Sequence, residues 1–169
     1  MRGEERFDPP GAGDERATLD GFLDYQRDTL LWKCSELTPE QLAARPLPTT
    51  VLSLLGLVRH LADVERSWFR RGFAGEDAPP IYYDRDTDPD GDIVPPPDAD
   101  PAEAFATYRR EVEAARAAVR GHDLGETLVS PRGVTLSLRW VHLHMIEEYA
   151  RHNGHADLLR EAIDGATGE

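Results

Sequence analysis

The sequence predicts an all-α protein, a bundle of four long helices with one long connection. Four stretches place apolar residues at alternating spacings of three and four, which is typical of amphipathic helices. Between the second and third stretches lies a segment rich in proline, aspartate and glycine, residues 72–100, with no helical period. A connection of that length can cross a whole bundle, so the second and third helices are predicted to run parallel.

The first helix is predicted over residues 17–36, where apolar residues recur near helical spacing. Thr38 then offers an N-cap, Pro39 a proline at the first helical position, and Gln41 a side chain that reaches back to the cap. This capping-box pattern predicts a short helical turn that ends at Ala44.

Three further helices follow from periodicity and capping residues. The second begins at Thr50 or Ser53 and ends near Arg71, with leucines, a valine and a tryptophan in steps of three and four. An Asp-Pro pair opens a third helix over residues 100–120, and a fourth is expected over residues 137–163 before a terminating glycine. The sequence predicts no strand hairpin, although residues 134–138 are compatible with an extended segment before the fourth helix.

The length and charge of the chain limit its class. At 169 residues it suits one domain, predicted over residues 16–169 after a flexible lead-in at residues 1–15. A formal net charge of −13 argues against a nucleic-acid or anionic-membrane partner, since both require clustered Lys and Arg. No signal peptide or membrane span is predicted, so we expect a cytoplasmic protein.

The chemistry concentrates on one face of the last helix. His144, Glu148, His152 and His155 follow one another at spacings of four, four and three, so they share a side of the helix next to its apolar stripe. A carboxylate at this position is costly to bury unless a positive charge meets it. His60 lies within the apolar stripe of the second helix and is predicted to point inward.

One explanation is a bound metal ion. His60, Glu148 and His152 would converge as a two-histidine, one-carboxylate set, which suits a catalytic divalent ion with an open position for water. Zinc is the preferred ion, with nickel, manganese and iron(II) as alternatives, because affinity order alone does not choose the occupant. With a single cysteine in the chain, thiolate-rich zinc binding is excluded.

The competing explanation is an internal ion pair. In this interpretation His60 is an ordinary core histidine, and Glu148 pairs with Arg27, Arg59 or Arg151. Residue types and spacing alone leave both explanations open.

The remaining candidates have less support. His144 and His155 sit at the edge of the stripe, where an outer role or solvent exposure is favoured over direct ligation. His122 and His142 are predicted to be exposed. Cys34 falls on the apolar side of the first helix, so it is predicted to pack in the core and not to act as a nucleophile.

Two segments carry a family resemblance. Residues 54–69 (LLGLVRHLADVERSWF) and 144–157 (HMIEEYARHNGHAD) resemble the DinB/YfiT-like superfamily, in its mini-circle-protein-like branch. The resemblance implies a four-helix bundle with up-down-down-up topology. It also implies a metal held by His60, Glu148 and His152.

The resemblance also implies an activity. The Glu-x-x-x-His pattern is similar to that of maleylpyruvate isomerases that use mycothiol, although the second domain of those enzymes is not present in this sequence. Members of the superfamily are thought to act as S-transferases for mycothiol or bacillithiol. We therefore expect a metal-dependent transferase that joins a small thiol to an electrophilic substrate. A non-catalytic metal-binding or stress-associated protein and a metal-dependent hydrolase are the alternatives.

Three further residues are candidates for binding the thiol or the substrate. Trp68 continues the stripe of His60 and is predicted to line a pocket. Arg59 or Arg151 is expected to neutralise a carboxylate on the substrate, and the alternative is that both only balance the acidic surface. Both a monomer and a homodimer are compatible with the sequence.

Overall fold

A computed structural model describes residues 6–168 of the chain, and it is mostly helical. Its described part contains α1 (Glu15–Lys33), α2 (Pro39–Ala43), α3 (Leu54–Glu65), a π-helical segment (Arg66–Phe73), α4 (Pro101–Val119), β1 (Thr127–Val129), β2 (Thr135–Ser137) and α5 (Leu138–Asp164). The predicted all-α class is confirmed. The predicted lead-in begins outside the described residues, and the division into residues 1–15 and 16–169 stays a prediction.

The helix starts follow from their caps. The capping box predicted at Thr38 and Gln41 is confirmed, since each side chain accepts a hydrogen bond from the backbone N–H of the other residue. The N-termini of the four longer α-helices are capped by side chains that accept from the first helical turn, those of Asp14, Ser53, Asp100 and Ser137. The left-handed Gly165 ends α5 as expected.

The prediction of no strand hairpin was wrong. β1 pairs with β2 in an antiparallel ladder that joins Thr127 to Ser137 and Val129 to Thr135. Each strand has three residues, which is too short for an alternating apolar pattern to show in the sequence. The hairpin leads directly into α5, because Ser137 ends β2 and caps the helix.

The core lies between the four longer α-helices. α1 packs along α5, α3 packs along α4, and α3 also contacts α5. The fully buried large side chains come from all four of them and from the π-helical segment, and include Leu30, Leu57, Phe69, Tyr108 and Met145. In the described part of the chain, no helix is long and apolar enough to cross a membrane.

A buried polar network joins these four helices. Arg27 donates to both carboxylate oxygens of Glu65 at 2.7 and 2.8 Å, and the Glu65 side chain is fully buried. The Tyr149 hydroxyl lies 2.8 Å from Glu65 and 3.0 Å from the Tyr108 hydroxyl. A hydroxyl has one hydrogen and the carboxylate only accepts, so Tyr149 donates to Glu65 and accepts from Tyr108. Burial raises the pKa of both tyrosines, which therefore stay protonated.

The long connection between α3 and α4 is held against α3 by polar contacts. Both oxygens of the Asp63 carboxylate accept backbone N–H groups, from Ile81 at 2.8 Å and from Tyr82 at 2.9 Å. One turn earlier, Arg59 donates to the carbonyl of Gly91 at 2.9 Å. Burial raises the pKa of Asp63, although the two backbone N–H groups oppose that effect. The connection therefore follows a defined path over α3.

The connection approaches α3 most closely at Gly56. A Cβ at this position would lie 2.2 Å from the carbonyl oxygen of Ile93, which is far inside van der Waals contact. Glycine is required here because the two backbones touch.

Two predictions about single residues have clear outcomes. Cys34 is buried as expected, and burial raises the pKa of its thiol to about 12, so the thiol stays protonated. His142 was predicted to be exposed, and that was wrong. Its side chain is 1% exposed and its ring nitrogens lie 3.0 Å from the Leu138 carbonyl and 3.1 Å from Asp20.

Candidate metal centre

Three predicted ligands meet where α3 and α5 face each other. Glu148 Oε1 lies 3.9 Å from His60 Nε2 and 3.8 Å from His152 Nε2. One ligand atom from each residue lies within 4.8 Å of the other two, and all three side chains are partly buried. Two ligands bound tetrahedrally to one ion at 2.0–2.2 Å lie about 3.4 Å apart. The spacing and the donor types therefore fit a divalent cation such as zinc.

The orientation of His60 is set by a residue of the long connection. His60 Nδ1 donates to Asp92 Oδ2 at 2.8 Å, so the proton is assigned to Nδ1 and the lone pair of Nε2 faces Glu148. Burial by itself would raise the pKa of Asp92, but the hydrogen bond from His60, with backbone hydrogen bonds, outweighs it and the pKa is lowered. A carboxylate that orients a ligating histidine is a recurrent part of zinc sites.

His152 is in the neutral state that ligation requires. Burial lowers its pKa to about 4, and positive charge on His60, His155 and Arg151 adds to the effect. At neutral pH the ring therefore has a free lone pair without first losing a proton. His155 lies beside the cluster, with its Nδ1 at 3.4 Å from Nδ1 of His152, on the opposite side of the ring from Nε2.

His144 lies apart from the three ligand candidates. Its ring is stacked on Trp140 with centroids 5.0 Å apart and an interplanar angle of 11°. Trp68 meets the same ring edge-on at 4.5 Å. His144 thus belongs to an aromatic cluster, and the group of residues with metal-site geometry in the described chain is limited to the predicted three.

In this structure, the three arginines that the ion-pair explanation offers as partners of Glu148 contact other groups. Arg27 pairs with Glu65 and Asp24, and Arg151 pairs with Glu147 at 2.8 Å. Arg59 donates to a backbone carbonyl of the connection. Among the described residues, the charged or titratable groups that approach the carboxylate of Glu148 are the two histidines.

The three candidates for cofactor or substrate binding are divided by the structure. Trp68 lines a cavity of about 200 Å³ next to His60, together with Ser67, Tyr83, Pro89 and others. Arg151 lies on the surface with a side chain that is 59% exposed. Arg59 is buried under the connection and lines a different cleft.

Asp92 is a site residue that sequence reasoning missed in its present role. It belongs to the irregular connection, where no period shows which side chains turn inward. Asp92 is one of many aspartates in that segment, and its position in the sequence did not distinguish it from the exposed ones.

The fold and the site define a class, that of helical proteins in which two helices bring together a His/Glu/His cluster able to hold a metal ion. A comparison with protein families identifies the class more narrowly, since the family model described as "Mycothiol-S-transferase" matches residues 18–165. The chain belongs to this mycothiol S-transferase family, a DinB-like family, which confirms the resemblance found in its sequence. A comparison with curated proteins gives no match.

Proposed function

We propose that this protein is a metal-dependent S-transferase that joins a low-molecular-weight thiol, mycothiol or a similar molecule, to an electrophile. Membership of the mycothiol S-transferase family supports the thiol, and the His60, Glu148 and His152 geometry supports the metal. The observation that carries the proposal is the convergence of three ligand candidates, with no fourth group of the described chain closing the set. Catalytic metal sites keep such an open position.

The proposal includes the fold predicted from the resemblance. The four longer α-helices correspond to a four-helix bundle of up-down-down-up topology, with the connection between α3 and α4 as the crossover. The packing of α1 on α5 and of α3 on α4 supports this arrangement. In such a bundle the ligand candidates come from helices that face each other, as His60 and Glu148 do here.

The residues present prepare the site for a cation in three ways. Asp92 holds His60 with its Nε2 lone pair toward the centre, and the low pKa of His152 keeps that ring neutral. Glu148 contributes one negative charge, so the three residues together with a divalent ion would have a net charge of +1. Zinc is the preferred ion, with nickel, manganese and iron(II) as alternatives.

The reaction follows from thiol chemistry. A free thiol has a pKa near 8.5 and is largely protonated at neutral pH, and binding at a divalent ion deprotonates it, which is the chemistry that the metal would supply. The proton leaves to solvent, the sulfur forms a bond to an electrophilic carbon, and the leaving group departs with its bonding electrons. The cavity beside His60, lined by Trp68 and Tyr83, would hold the reacting end of the thiol.

A storage or stress-associated metal protein is the main alternative, and it would need a closed ligand set. The two nearest histidines do not supply one, because His144 stacks on Trp140 and His155 contacts the far side of the His152 ring. A metal-dependent hydrolase would use the same open position, so a hydrolysis assay must accompany the transfer assay.

The test combines metal content with thiol transfer. Protein purified without a histidine tag is compared with His60→Ala, His152→Ala and, as a matched control, His122→Ala, whose ring is exposed in the loop after α4. Metal is measured by elemental analysis. Conjugation is followed with mycothiol, bacillithiol, glutathione or coenzyme A and monochlorobimane, and hydrolysis with p-nitrophenyl acetate.

We expect metal and conjugation in the wild-type protein and in His122→Ala, and the loss of both in the other two variants. Equal metal content in all four proteins would refute the metal centre. Conjugation no faster than in His152→Ala for every thiol, with metal still bound, would refute the transferase and favour a storage protein. Ester hydrolysis that depends on His152 would then favour the hydrolase.

A further inference from the structure

A second cleft shares no lining residue with the cavity beside His60. Its volume is about 820 Å³, within the range of small-molecule sites, which is roughly 300–1,000 Å³. It lies between the end of α2, the middle of α3 and the proline-rich part of the connection. Its lining residues are Ala43, Arg45, Arg59, Tyr82, Asp88, Gly91, Val94, Pro95, Pro96, Pro97 and Ala99.

Arg59 is the unusual residue of this cleft. It is 8% exposed, its Nη2 donates to the Gly91 carbonyl, and its guanidinium lies 3.9 Å above the ring of Tyr82. Its Nε is buried and has no hydrogen-bond partner among the described residues. Buried guanidinium groups normally pair with a carboxylate or phosphate, so this one lacks its usual anion.

A second arginine lines the same cleft. Arg45 is exposed, and its side chain forms no ion pair within residues 6–168. Asp88 is the acidic residue of the lining, which leaves the cleft with a formal charge of +1 in a chain whose net charge is −13. A positive cleft on such a protein favours an anionic ligand locally.

Another cavity shows how arginines that line a cavity usually pair with carboxylates. The cavity of about 610 Å³ between α1 and α4 is also lined by arginines, but three of them already have carboxylate partners. Arg16 pairs with Asp20, and Arg27 and Arg116 both pair with Asp24. Arg59 and Arg45 differ from these because neither pairs with an acidic residue of the described chain.

The rest of the cleft is apolar. Val94, the three prolines at 95–97 and Ala99 form one wall, and the Tyr82 ring lies against Arg59. We propose that this cleft binds a small organic anion, a monocarboxylate with an apolar or aromatic body, with the carboxylate between Arg45 and Arg59 and the body on the proline wall. A carboxylate is favoured over a phosphate because the formal charge of the lining is only +1. The site is separate from the His60 cavity, so it does not depend on the proposed function.

The test uses fluorine NMR of three probes with the full chain. The probes are 4-fluorobenzoate, the uncharged 4-fluorobenzamide and the dianionic 4-fluorophenyl phosphate. Each is titrated to about 10 mM, which detects weak binding. All titrations are repeated with His152→Ala, since a carboxylate could also bind at the metal centre.

Three variants locate the anion. Arg59→Gln removes the buried guanidinium, and Arg45→Gln removes the exposed one. Arg132→Gln is the matched control, because it removes the same charge from the exposed β1–β2 turn. Thermal unfolding checks that each variant folds.

We expect saturable binding of 4-fluorobenzoate that is the same in His152→Ala and tighter than binding of the amide or the phosphate. Arg59→Gln should raise Kd by about tenfold, as for the loss of a charged hydrogen bond, and Arg45→Gln by about twofold to threefold. Arg132→Gln should leave Kd unchanged.

Several results would overturn the proposal. For the probes, these are no saturable binding of 4-fluorobenzoate, equally tight binding of 4-fluorobenzamide, or tighter binding of 4-fluorophenyl phosphate. For the variants, they are loss of 4-fluorobenzoate binding in His152→Ala, or equal effects of Arg45→Gln and Arg132→Gln on its Kd. If Arg59→Gln does not fold, the comparison of Arg45→Gln with Arg132→Gln and of the three probes still decides the question.

Discussion

Replacing Asp92 should weaken metal binding without removing any ligand. Its Oδ2 accepts from His60 Nδ1 at 2.8 Å, and Asp92 is 8% exposed, so little water can take its place. Loss of such an outer carboxylate commonly costs about 10- to 100-fold in metal affinity, which corresponds to about 1.4 to 2.7 kcal/mol. We expect the loss of metal affinity in Asp92→Asn to lie near the lower end of this range, since the amide oxygen can still accept from Nδ1. The loss in Asp92→Ala should lie near the upper end.

The assay is a competition titration of tag-free protein against a chromophoric zinc chelator at constant pH. Asp90→Asn is the matched control, because it removes the same charge from an exposed position two residues away. Its Kd should remain close to that of the wild-type protein. If Asp92→Ala binds zinc as tightly as the wild type, or if Asp92→Ala and Asp90→Asn lose the same affinity, Asp92 does not orient His60.

Three further predictions concern the scaffold around the site. Arg27→Met leaves the fully buried Glu65 carboxylate without its partner and should lower the free energy of unfolding by about 3–5 kcal/mol in urea titrations. His142 has a pKa lowered from 6.5, chiefly by burial, so the unfolded chain takes up its proton at higher pH than the native protein. Stability should therefore fall as pH drops below about 6.5, and His142→Gln should flatten that dependence in melts at several pH values. Gly56→Ala should cost about 1–3 kcal/mol and also weaken zinc binding, because the new Cβ displaces the backbone at Ile93, next to Asp92.

Each of these predictions has its own control. Arg116→Met removes two partly exposed ion pairs, with Asp24 and Glu113, and should cost about 1 kcal/mol or less. An equal loss in Arg27→Met would contradict the buried-pair argument. Gly154→Ala adds a Cβ with no atom within 4 Å in a helix, and it should not destabilise the protein. If Gly154→Ala lowers the stability as much as Gly56→Ala does, the close approach of the backbone at Ile93 does not explain the loss in Gly56→Ala. If the stability of the wild type and of His142→Gln changes with pH in the same way, His142 does not cause the pH dependence.

Periodicity and capping were sufficient to predict most of the fold. The capping box at Thr38 and Gln41 lies where it was expected, and the four predicted long helices appear with boundaries within a few residues. The second of them ends differently, because its last two turns form the π-helical segment. The hairpin at 127–137 was missed because three-residue strands carry no period.

The convergence of His60, Glu148 and His152 was also foreseen, and the structure brings the three together. Two of them are one helical turn apart, so their common face follows from the helix itself. The third required only that α3 face α5, which the apolar stripes of both helices indicated.

The sequence by itself determined which segments are helices, which faces of them are apolar, and that two histidines and a glutamate share the inner side. These features depend on local geometry that repeats every turn, so they can be found without knowing the fold. The tertiary structure decided the partners. Asp92 of the acidic connection orients His60, and Glu65 pairs with Arg27 in the core. The side chain of Arg59 lines a separate cleft. Those choices depend on the path of an irregular segment and on contacts between residues more than thirty positions apart, where no repeat in the chain indicates which side chains meet.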